Sequence, residues 1–208
     1  MKLFHTLFLG VFLLFSTQLI AADTYVLGSK VDDFTLKNIE MKISFKALLL
    51  LLSSYTKNDG VVIVFTCNHC PYSKLYEDRI VALDASMKKK KYSVLAINPN
   101  DPIAYPDDSF ENMIVRAKEK KFTFPYVIDE TQEIAKKFGA TRTPHFFILK
   151  KVNNSFEIAY IGALDDNAQE PNSVTVNYVE KAVDAIQKGD KVEPASTKAI
   201  GCSIKWKK

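Results

Sequence analysis

The sequence has few of the residues that mark disordered or fibrous chains, with 7 glycines and 8 prolines among 208 residues. It contains no internal repeat, no low-complexity segment and no linker rich in proline, glycine or serine. These absences argue against a fibrous or disordered chain. They predict a single domain over residues 23–208, with a C-terminal tail from about residue 190.

The sequence also lacks a strong excess of one charge, because 28 Lys and Arg residues against 24 Asp and Glu residues leave a formal net charge of +4. The densest basic run, residues 88–91, ends a helical pattern. Lysines in the last turn of a helix favour its dipole and lie in solvent. Nucleic acid is therefore not an expected partner.

The first 22 residues differ from the rest of the chain. Lys2 supplies a positive charge, an apolar stretch covers residues 7–15, and two alanines precede Asp23. This order predicts a secretory signal peptide. An uncleaved membrane anchor is the alternative, but polar residues at 16–18 leave the apolar stretch short of the ~20 residues that span a bilayer. We therefore expect a periplasmic or otherwise extracytoplasmic protein, with no stable membrane insertion after cleavage.

Only three cysteines are present, Cys67, Cys70 and Cys202. In an exported protein, paired thiols are expected to be structural or redox-active. A disulfide between Cys67 and Cys70 would close so short a loop that it would stabilise the fold little. Cys202 is expected to be either an extra resolving thiol or a packed residue. The apolar Ile204 and Trp206, which alternate beside it, favour packing.

Hydrophobic patterns predict an α/β fold. Strands are predicted at residues 61–65, 92–97, 125–128, 146–149 and 157–161, and helices at about 72–87, 109–121, 131–138 and 174–188. Residues 25–36 are expected to form a strand or hairpin, whereas 45–55 suit a buried strand or a buried helix equally. The alternation of strands and helices predicts a central mixed sheet with helices on both faces.

The strand at 61–65 runs into Cys67-Asn68-His69-Cys70 at a helix start, and Thr143-Pro144 follows about three-quarters along the chain. Together with residues 31–36, these features resemble the thioredoxin-like superfamily, and within it the alkyl hydroperoxide reductase/thiol-specific antioxidant-like branch. The resemblance covers roughly residues 28–188. It implies a thioredoxin-like fold and an exported thiol–disulfide oxidoreductase that needs no cofactor. Its expected partners are protein thiols and disulfides, with a membrane electron donor or acceptor as a further partner.

The resemblance also implies roles for the motif residues. Cys67 is expected to be an exposed nucleophile at the helix start, where unpaired N–H groups and the helix dipole stabilise a thiolate. Cys70, more buried, is expected to resolve the mixed disulfide. His69 is expected to stabilise the reduced dithiol, which would make the centre more oxidising than ordinary thioredoxin. A plain solvent-exposed position for His69 is the alternative.

Thr143 and Pro144 correspond, by the same resemblance, to the cis-proline loop that pairs with an extended substrate chain. His145 follows directly, so it either joins this substrate site or simply begins a buried strand. Both histidines of the mature chain thus fall beside the expected site.

Two positions depart from the thioredoxin pattern. Val61 stands where thioredoxins place a buried acid, and Thr66 where an aromatic residue is expected. Proton transfer is therefore expected to use His69, Glu77 or water. Glu77 and its neighbour Asp78 nevertheless fit a solvated helix surface better.

Two other functions compete with this prediction. The branch includes thiol peroxidases, and Arg142 is placed where an arginine could polarise a peroxide. Against this, neither cysteine of the motif has the threonine three positions before it that the peroxidase motif requires. The second rival is a metallochaperone that binds copper(I) or zinc through Cys67, Cys70 and His145, with His69 as a further ligand. Related metallochaperones usually have a longer cysteine spacing.

Overall fold

The structure is a computed structural model that describes residues 24–39 and 49–208. The predicted signal peptide at 1–22 and residues 45–48 of the apolar segment lie outside these ranges. Within them, no helix is both long enough and apolar enough to cross a membrane.

A mixed sheet forms the centre of the fold. The strands are β1 (Lys30–Val31), β2 (Thr35–Asn38), β3 (Leu49–Leu51), β4 (Gly60–Phe65), β5 (Tyr92–Asn98), β6 (Tyr126–Ile128), β7 (Arg142–Thr143), β8 (His145–Val152), β9 (Ser155–Gly162) and β10 (Cys202–Ser203). Among the described residues, eight strands pair in the order β1-β9-β8-β4-β5-β6-β2-β3, and β10 pairs separately with β7. β4, β5 and β6 are parallel, and the other pairs are antiparallel.

The four α-helices are α1 (Pro71–Lys89), α2 (Phe110–Glu119), α3 (Glu133–Phe138) and α4 (Tyr178–Lys188). Every residue of β4 is buried, because both faces of the sheet are covered. Val62 and Val64 pack in one cluster with α1, α2 and α4, whereas Val61, Ile63 and Phe65 pack in the other with α3. Successive side chains of a strand point to opposite faces of the sheet, so β4 contributes side chains to both clusters. The predicted helices on both faces are confirmed.

The structure decides between the alternatives at 25–36 and 45–55, where strands form, and it corrects the start of one helix. The N-terminal segment is not a hairpin, since β1 pairs with β9 at one edge of the sheet and β2 pairs with β6 and β3 towards the other. The described end of the 45–55 segment forms β3 and then a 3-10 helix, Leu52–Tyr55. α4 begins at Tyr178, four residues later than predicted, because the side chain of Asn177 caps it by accepting a hydrogen bond from the Glu180 N–H at 3.2 Å.

Candidate active site

The Cys67-Asn68-His69-Cys70 motif forms the loop between the carboxyl end of β4 and the start of α1. Cys70 is the N-cap of α1, and Pro71 is its first residue. Proline suits this position because its missing N–H would have no partner inside the helix. The strand–motif–helix order predicted from the sequence is confirmed.

Cys67 is buried, with only 3% of its surface exposed, and it precedes the first helical residue by four positions. Its Sγ lies 3.2 Å from Oγ1 of Thr143 and 3.7 Å from Oγ of Ser73. The expected exposed position at the helix start is therefore wrong, because the loop turns this thiol inward against two hydroxyl groups. Either hydroxyl is able to donate a hydrogen bond to the sulfur.

Cys70 forms a disulfide with Cys202, and Cys67 is a free thiol. The predicted Cys67–Cys70 pair is thus not the disulfide that this structure contains. The expectation that Cys202 is merely packed is also wrong, since it is half-buried and covalently bonded. The cause is tertiary: β10 places Cys202 opposite Thr143, although 132 residues separate the two bonded cysteines.

The Thr143–Pro144 peptide bond is cis, as the resemblance implied. Thr143 is fully buried and contacts both sulfur atoms of the motif. Its Oγ1 is 3.2 Å from Sγ of Cys67, and its carbonyl oxygen is 3.2 Å from Sγ of Cys70. The cis-proline loop and the cysteine motif therefore form one site.

His69 is tied to a buried carboxylate. Its Nδ1 lies 2.5 Å from Oδ2 of Asp108, and its ring stacks on that of Tyr105 with centroids 4.9 Å apart. The interaction with the sulfur of Cys67, above all, raises the pKa of His69 from 6.5 to about 9, with Asp108 contributing and partial burial opposing. The imidazole is therefore protonated at neutral pH, which places a positive charge beside the Cys67 sulfur. The alternative of a plain solvent-exposed histidine is wrong.

Asp108 organises this part of the site, a role that the sequence reasoning missed. The side chain is fully buried, and its Oδ1 accepts from the N–H of Asn68 at 2.6 Å and of His69 at 3.3 Å. Its Oδ2 accepts from Nδ2 of Asn100 at 2.9 Å in addition to the His69 ring. The position of Asp108 in the chain could have indicated that it lies near the motif. Asp108 follows β5, the parallel neighbour of β4, and the loops after neighbouring parallel strands meet at one edge of a sheet.

His145 is the first residue of β8. Only 7% of its surface is exposed, whereas His69 is half-buried. Burial lowers the pKa of His145 to about 4, so the ring is neutral at physiological pH. Its Nδ1 accepts a weak hydrogen bond from the N–H of Thr141 at 3.4 Å. His145 is therefore a neutral core residue next to the cis-proline loop.

Other candidate residues lie away from the sulfur atoms. Glu77 is not solvated as predicted: it is buried and receives hydrogen bonds from Nε and Nη2 of Arg116 at 2.6 and 2.7 Å. Asp78 is exposed, as expected. Arg142 is exposed and donates to the carbonyl of Gly201 at 3.3 Å, an arrangement that does not direct it at Cys67. Val61, at the position of the thioredoxin acid, is a fully buried core residue.

The predicted metal set of Cys67, Cys70 and His145 is not brought together. Within the part of the chain that the structure describes, the group with metal-ligand chemistry is Cys67, His69 and Asp108, whose ligand atoms lie within 4.8 Å of one another. Both oxygens of Asp108 already accept hydrogen bonds from N–H groups. Cys67, His69 and Asp108 therefore lie together as a thiol, an imidazole and the buried carboxylate that contacts the imidazole.

The titration of His69 gives a direct test of that geometry. Because the thiol of Cys67 is the main cause of the raised pKa, we expect the Cys67→Ala protein to titrate His69 well below 9. The measurement is ¹H–¹⁵N NMR of the imidazole between pH 5 and pH 10. An unchanged pKa in the variant would show that Asp108 alone holds the proton. Ser73→Ala, which removes only the more distant hydroxyl at 3.7 Å, is the matched control.

Comparison with solved structures places the fold among known proteins. An uncharacterized conserved protein from Geobacillus kaustophilus is 36% identical, with a TM-score of 0.77 over 88% of this chain and 94% of that one. A hypothetical protein from Sinorhizobium meliloti 1021 is 29% identical, with a TM-score of 0.77 over 89% and 97%. The thioredoxin domain of a thiol-disulfide oxidoreductase from Bacteroides vulgatus is 12% identical, with a TM-score of 0.53 over 80% and 99%.

The last of these similarities confirms the predicted thioredoxin-like fold. No curated protein matches the chain. The AhpC/TSA family matches residues 27–157, which include the cysteine motif and the cis-proline loop. The predicted recognition and the predicted class of thiol-based oxidoreductase agree with this match and with the site. The chain belongs to the AhpC/TSA family.

Proposed function

We propose that this protein is a thiol–disulfide oxidoreductase that exchanges disulfides with other proteins, with Cys67 as the nucleophile and Cys70 as the resolving thiol. The observation that carries the proposal is the free thiol of Cys67, whose Sγ lies within 4.8 Å of a ring nitrogen of His69, a side chain whose pKa is raised to about 9. A positive charge and hydroxyl donors next to a sulfur favour the thiolate, which is the reactive form.

The reaction has two exchange steps when the motif is reduced. The thiolate of Cys67 attacks one sulfur of a substrate disulfide, forming a mixed disulfide and releasing the other substrate sulfur as a thiolate. The thiol of Cys70 then loses its proton and attacks Sγ of Cys67, which releases the second substrate thiol. Two electrons pass from the dithiol to the substrate, and a Cys67–Cys70 disulfide remains. The reverse sequence oxidises a substrate dithiol.

The cis-proline loop is the proposed substrate site. Thr143 contacts both sulfur atoms, and its bond to Pro144 is cis. A backbone edge of this kind binds an extended chain by strand addition. His145 supports the loop from the buried side as a neutral side chain. Protein thiols and disulfides are the proposed substrates, and a membrane electron donor or acceptor is the proposed partner that resets the centre.

The proposal is tested by trapping the mixed disulfide. We expect the Cys70→Ser protein, mixed with a peptide that contains a disulfide, to accumulate a covalent adduct at Cys67, because the resolving thiol is missing. The Cys67→Ser, Cys70→Ser double variant is the matched control and should form no adduct there. Peptide mapping by mass spectrometry locates the bond. An adduct at Cys202 alone would contradict the assignment of the nucleophile.

The direction of electron flow depends on the reduction potential of the Cys67–Cys70 pair. Because His69 stabilises the reduced form, we expect a value above the ~−270 mV of thioredoxin, measured by equilibration with glutathione. We also expect His69→Asn to move the value downwards. A wild-type value at or below that of thioredoxin would favour a reductase instead.

Peroxide reduction by Cys67 is the second candidate, favoured by membership of a family that includes peroxidases. The exposed Arg142 gives it no support in this structure, where its guanidinium donates to the carbonyl of Gly201 in the tail. Treatment with hydrogen peroxide discriminates: rapid sulfenic acid formation at Cys67 would support a peroxidase, and slow formation with fast peptide exchange supports the oxidoreductase.

The last part of the proposal is that the protein is exported from the cytoplasm. We infer that residues 1–22 are a signal peptide, supported by their sequence pattern. The mature protein would then begin at Asp23 in the periplasm or another extracytoplasmic compartment. Determination of the N-terminal residue of the protein isolated from cells tests this, and recovery of the full chain from the membrane fraction would favour the anchor.

A further inference from the structure

The C-terminal tail binds the cis-proline loop as a strand. In β10, Cys202 lies opposite Thr143 and Ser203 opposite Arg142, in antiparallel register. This is the backbone edge at which the proposed function places an extended substrate. The tail therefore occupies, within the same molecule, the position that strand addition would give to a substrate chain.

The approach of the tail is close, and its sequence permits it. A Cβ atom on Gly201 would lie 2.3 Å from the carbonyl oxygen of Thr143 and 3.0 Å from the nitrogen of Pro144. Such distances are excluded for a real side chain, so only glycine allows this fit. The guanidinium of Arg142 also donates to the carbonyl of Gly201. The tail thus fits the loop specifically through three consecutive residues.

The docked strand lies between two separate anchors. Before it, Oγ1 of Thr197 accepts from the N–H of Ala163 at 3.0 Å, and the N–H of Thr197 donates to the carbonyl of Ile161 at 3.0 Å. After it, Ile204 is buried in the cluster that contains α3. Residues 198–203 are mostly exposed or half-buried. If the Cys70–Cys202 bond were exchanged and this segment left the loop, both anchors would keep the rest of the tail in place.

The three cysteines are arranged for exchange within the molecule. Cys67 is a free thiol beside a protonated imidazole, and the sulfur of Cys70 contacts the same threonine that Cys67 contacts. Attack by the Cys67 thiolate on Sγ of Cys70 would form the Cys67–Cys70 disulfide and release Cys202 as a thiolate. One disulfide forms and one breaks, so no external oxidant or reductant is needed. The released thiolate then takes up a proton.

We propose that Cys202 is a third redox-active cysteine and that its segment, residues 198–203, is an internal competitor for the substrate edge. The inference rests on the proposed function. In the Cys70–Cys202 form the edge is occupied, and Cys67, which carries no disulfide, cannot accept electrons from a substrate dithiol. Exchange to the Cys67–Cys70 form frees the edge and produces the disulfide that reacts with an extended dithiol peptide.

The test follows the oxidation of a short extended dithiol peptide by the fully oxidised protein, with the peptide in excess. In the wild type we expect the rate to reach a plateau as the peptide concentration rises, because internal exchange must come first. In Cys202→Ser, where only the Cys67–Cys70 disulfide can form, we expect the rate to rise linearly and to exceed the plateau by about tenfold. Acid quenching, alkylation and peptide mapping identify the disulfide present at each time.

Two further variants keep all three cysteines. Gly201→Ala should raise the plateau, because the added methyl group meets the carbonyl of Thr143. Lys207→Ala, at an exposed side chain beyond the segment, is the control and should behave as the wild type, because the backbone N–H that Lys207 donates to Gln132 is retained. A wild-type rate that is linear and equal to that of Cys202→Ser would overturn the inference and leave the proposed function standing. The inference would also be overturned if peptide mapping found the Cys70–Cys202 disulfide unchanged in the wild type while the Cys202→Ser protein oxidised the peptide. If neither protein oxidised the peptide, the proposed function itself would fail.

Discussion

Replacing Cys67 by serine is expected to lower the rate of disulfide exchange by about a thousandfold or more, because a hydroxyl group does not form the anion that attacks a disulfide near neutral pH. The sulfur is the free thiol of the site and lies beside His69, whose pKa is raised to about 9. No other cysteine in the structure has a free sulfur, since Cys70 and Cys202 are bonded to each other. The measurement is the rate of exchange with a disulfide peptide at pH 7, after the protein has been reduced and the reductant removed.

The same variant is informative about folding because it leaves the Cys70–Cys202 disulfide intact. We expect its unfolding midpoint in urea to stay close to that of the wild type, since serine is similar in size and can hydrogen-bond to Thr143. A loss of activity without a loss of stability would then be chemical. Activity within tenfold of the wild type would mean that another cysteine is the nucleophile.

Replacing Asp108 by alanine is expected to reduce both stability and exchange. The fully buried carboxylate accepts hydrogen bonds from the Asn68 N–H, the Asn100 side chain and the His69 ring. Its removal leaves these donors without their acceptor, at a cost of about 3 kcal/mol in the free energy of unfolding. Exchange should fall by about tenfold to a hundredfold, because the imidazole loses the group that orients it. Urea unfolding and the peptide exchange assay measure the two effects.

Asp107→Ala is the matched control for this experiment. Asp107 is exposed, and its backbone carbonyl, which the substitution retains, accepts the hydrogen bond from Nδ2 of Asn68 at 2.8 Å. We therefore expect stability and exchange to change little. If Asp108→Ala kept the wild-type exchange rate, Asp108 would be a structural residue alone, and exchange would not depend on its contact with His69.

The local patterns were reliable guides to the fold. The β-branched run at 61–65 forms the central strand β4, and the apolar stripe of α1 packs on one face of the sheet. Such features are predictable because side-chain periodicity follows directly from strand and helix geometry. The cis bond before Pro144 was predicted only through the family resemblance, since most X–Pro bonds are trans.

The site was less predictable, because its partners come from distant parts of the chain. The burial of Cys67 depends on Thr143, and the raised pKa of His69 depends on its contacts with Cys67 and Asp108. Glu77 illustrates the same limit: on an isolated helix it would be solvated, but Arg116 of α2 lies over it and pairs with it. A sequence pattern describes neighbours along one element and carries no information on which elements meet.

By itself, then, the sequence determined the α/β layout, the cysteine motif at a helix start and the family to which both belong. These features arise from local periodicity, capping and turn chemistry, all of which act over a few residues. Only the tertiary structure decided which cysteine is free, which carboxylate holds the histidine and where the C-terminal tail binds. Each of these depends on contacts between residues far apart in sequence, such as the 132-residue separation that the Cys70–Cys202 disulfide spans, and such contacts exist only once the sheet has brought its loops together.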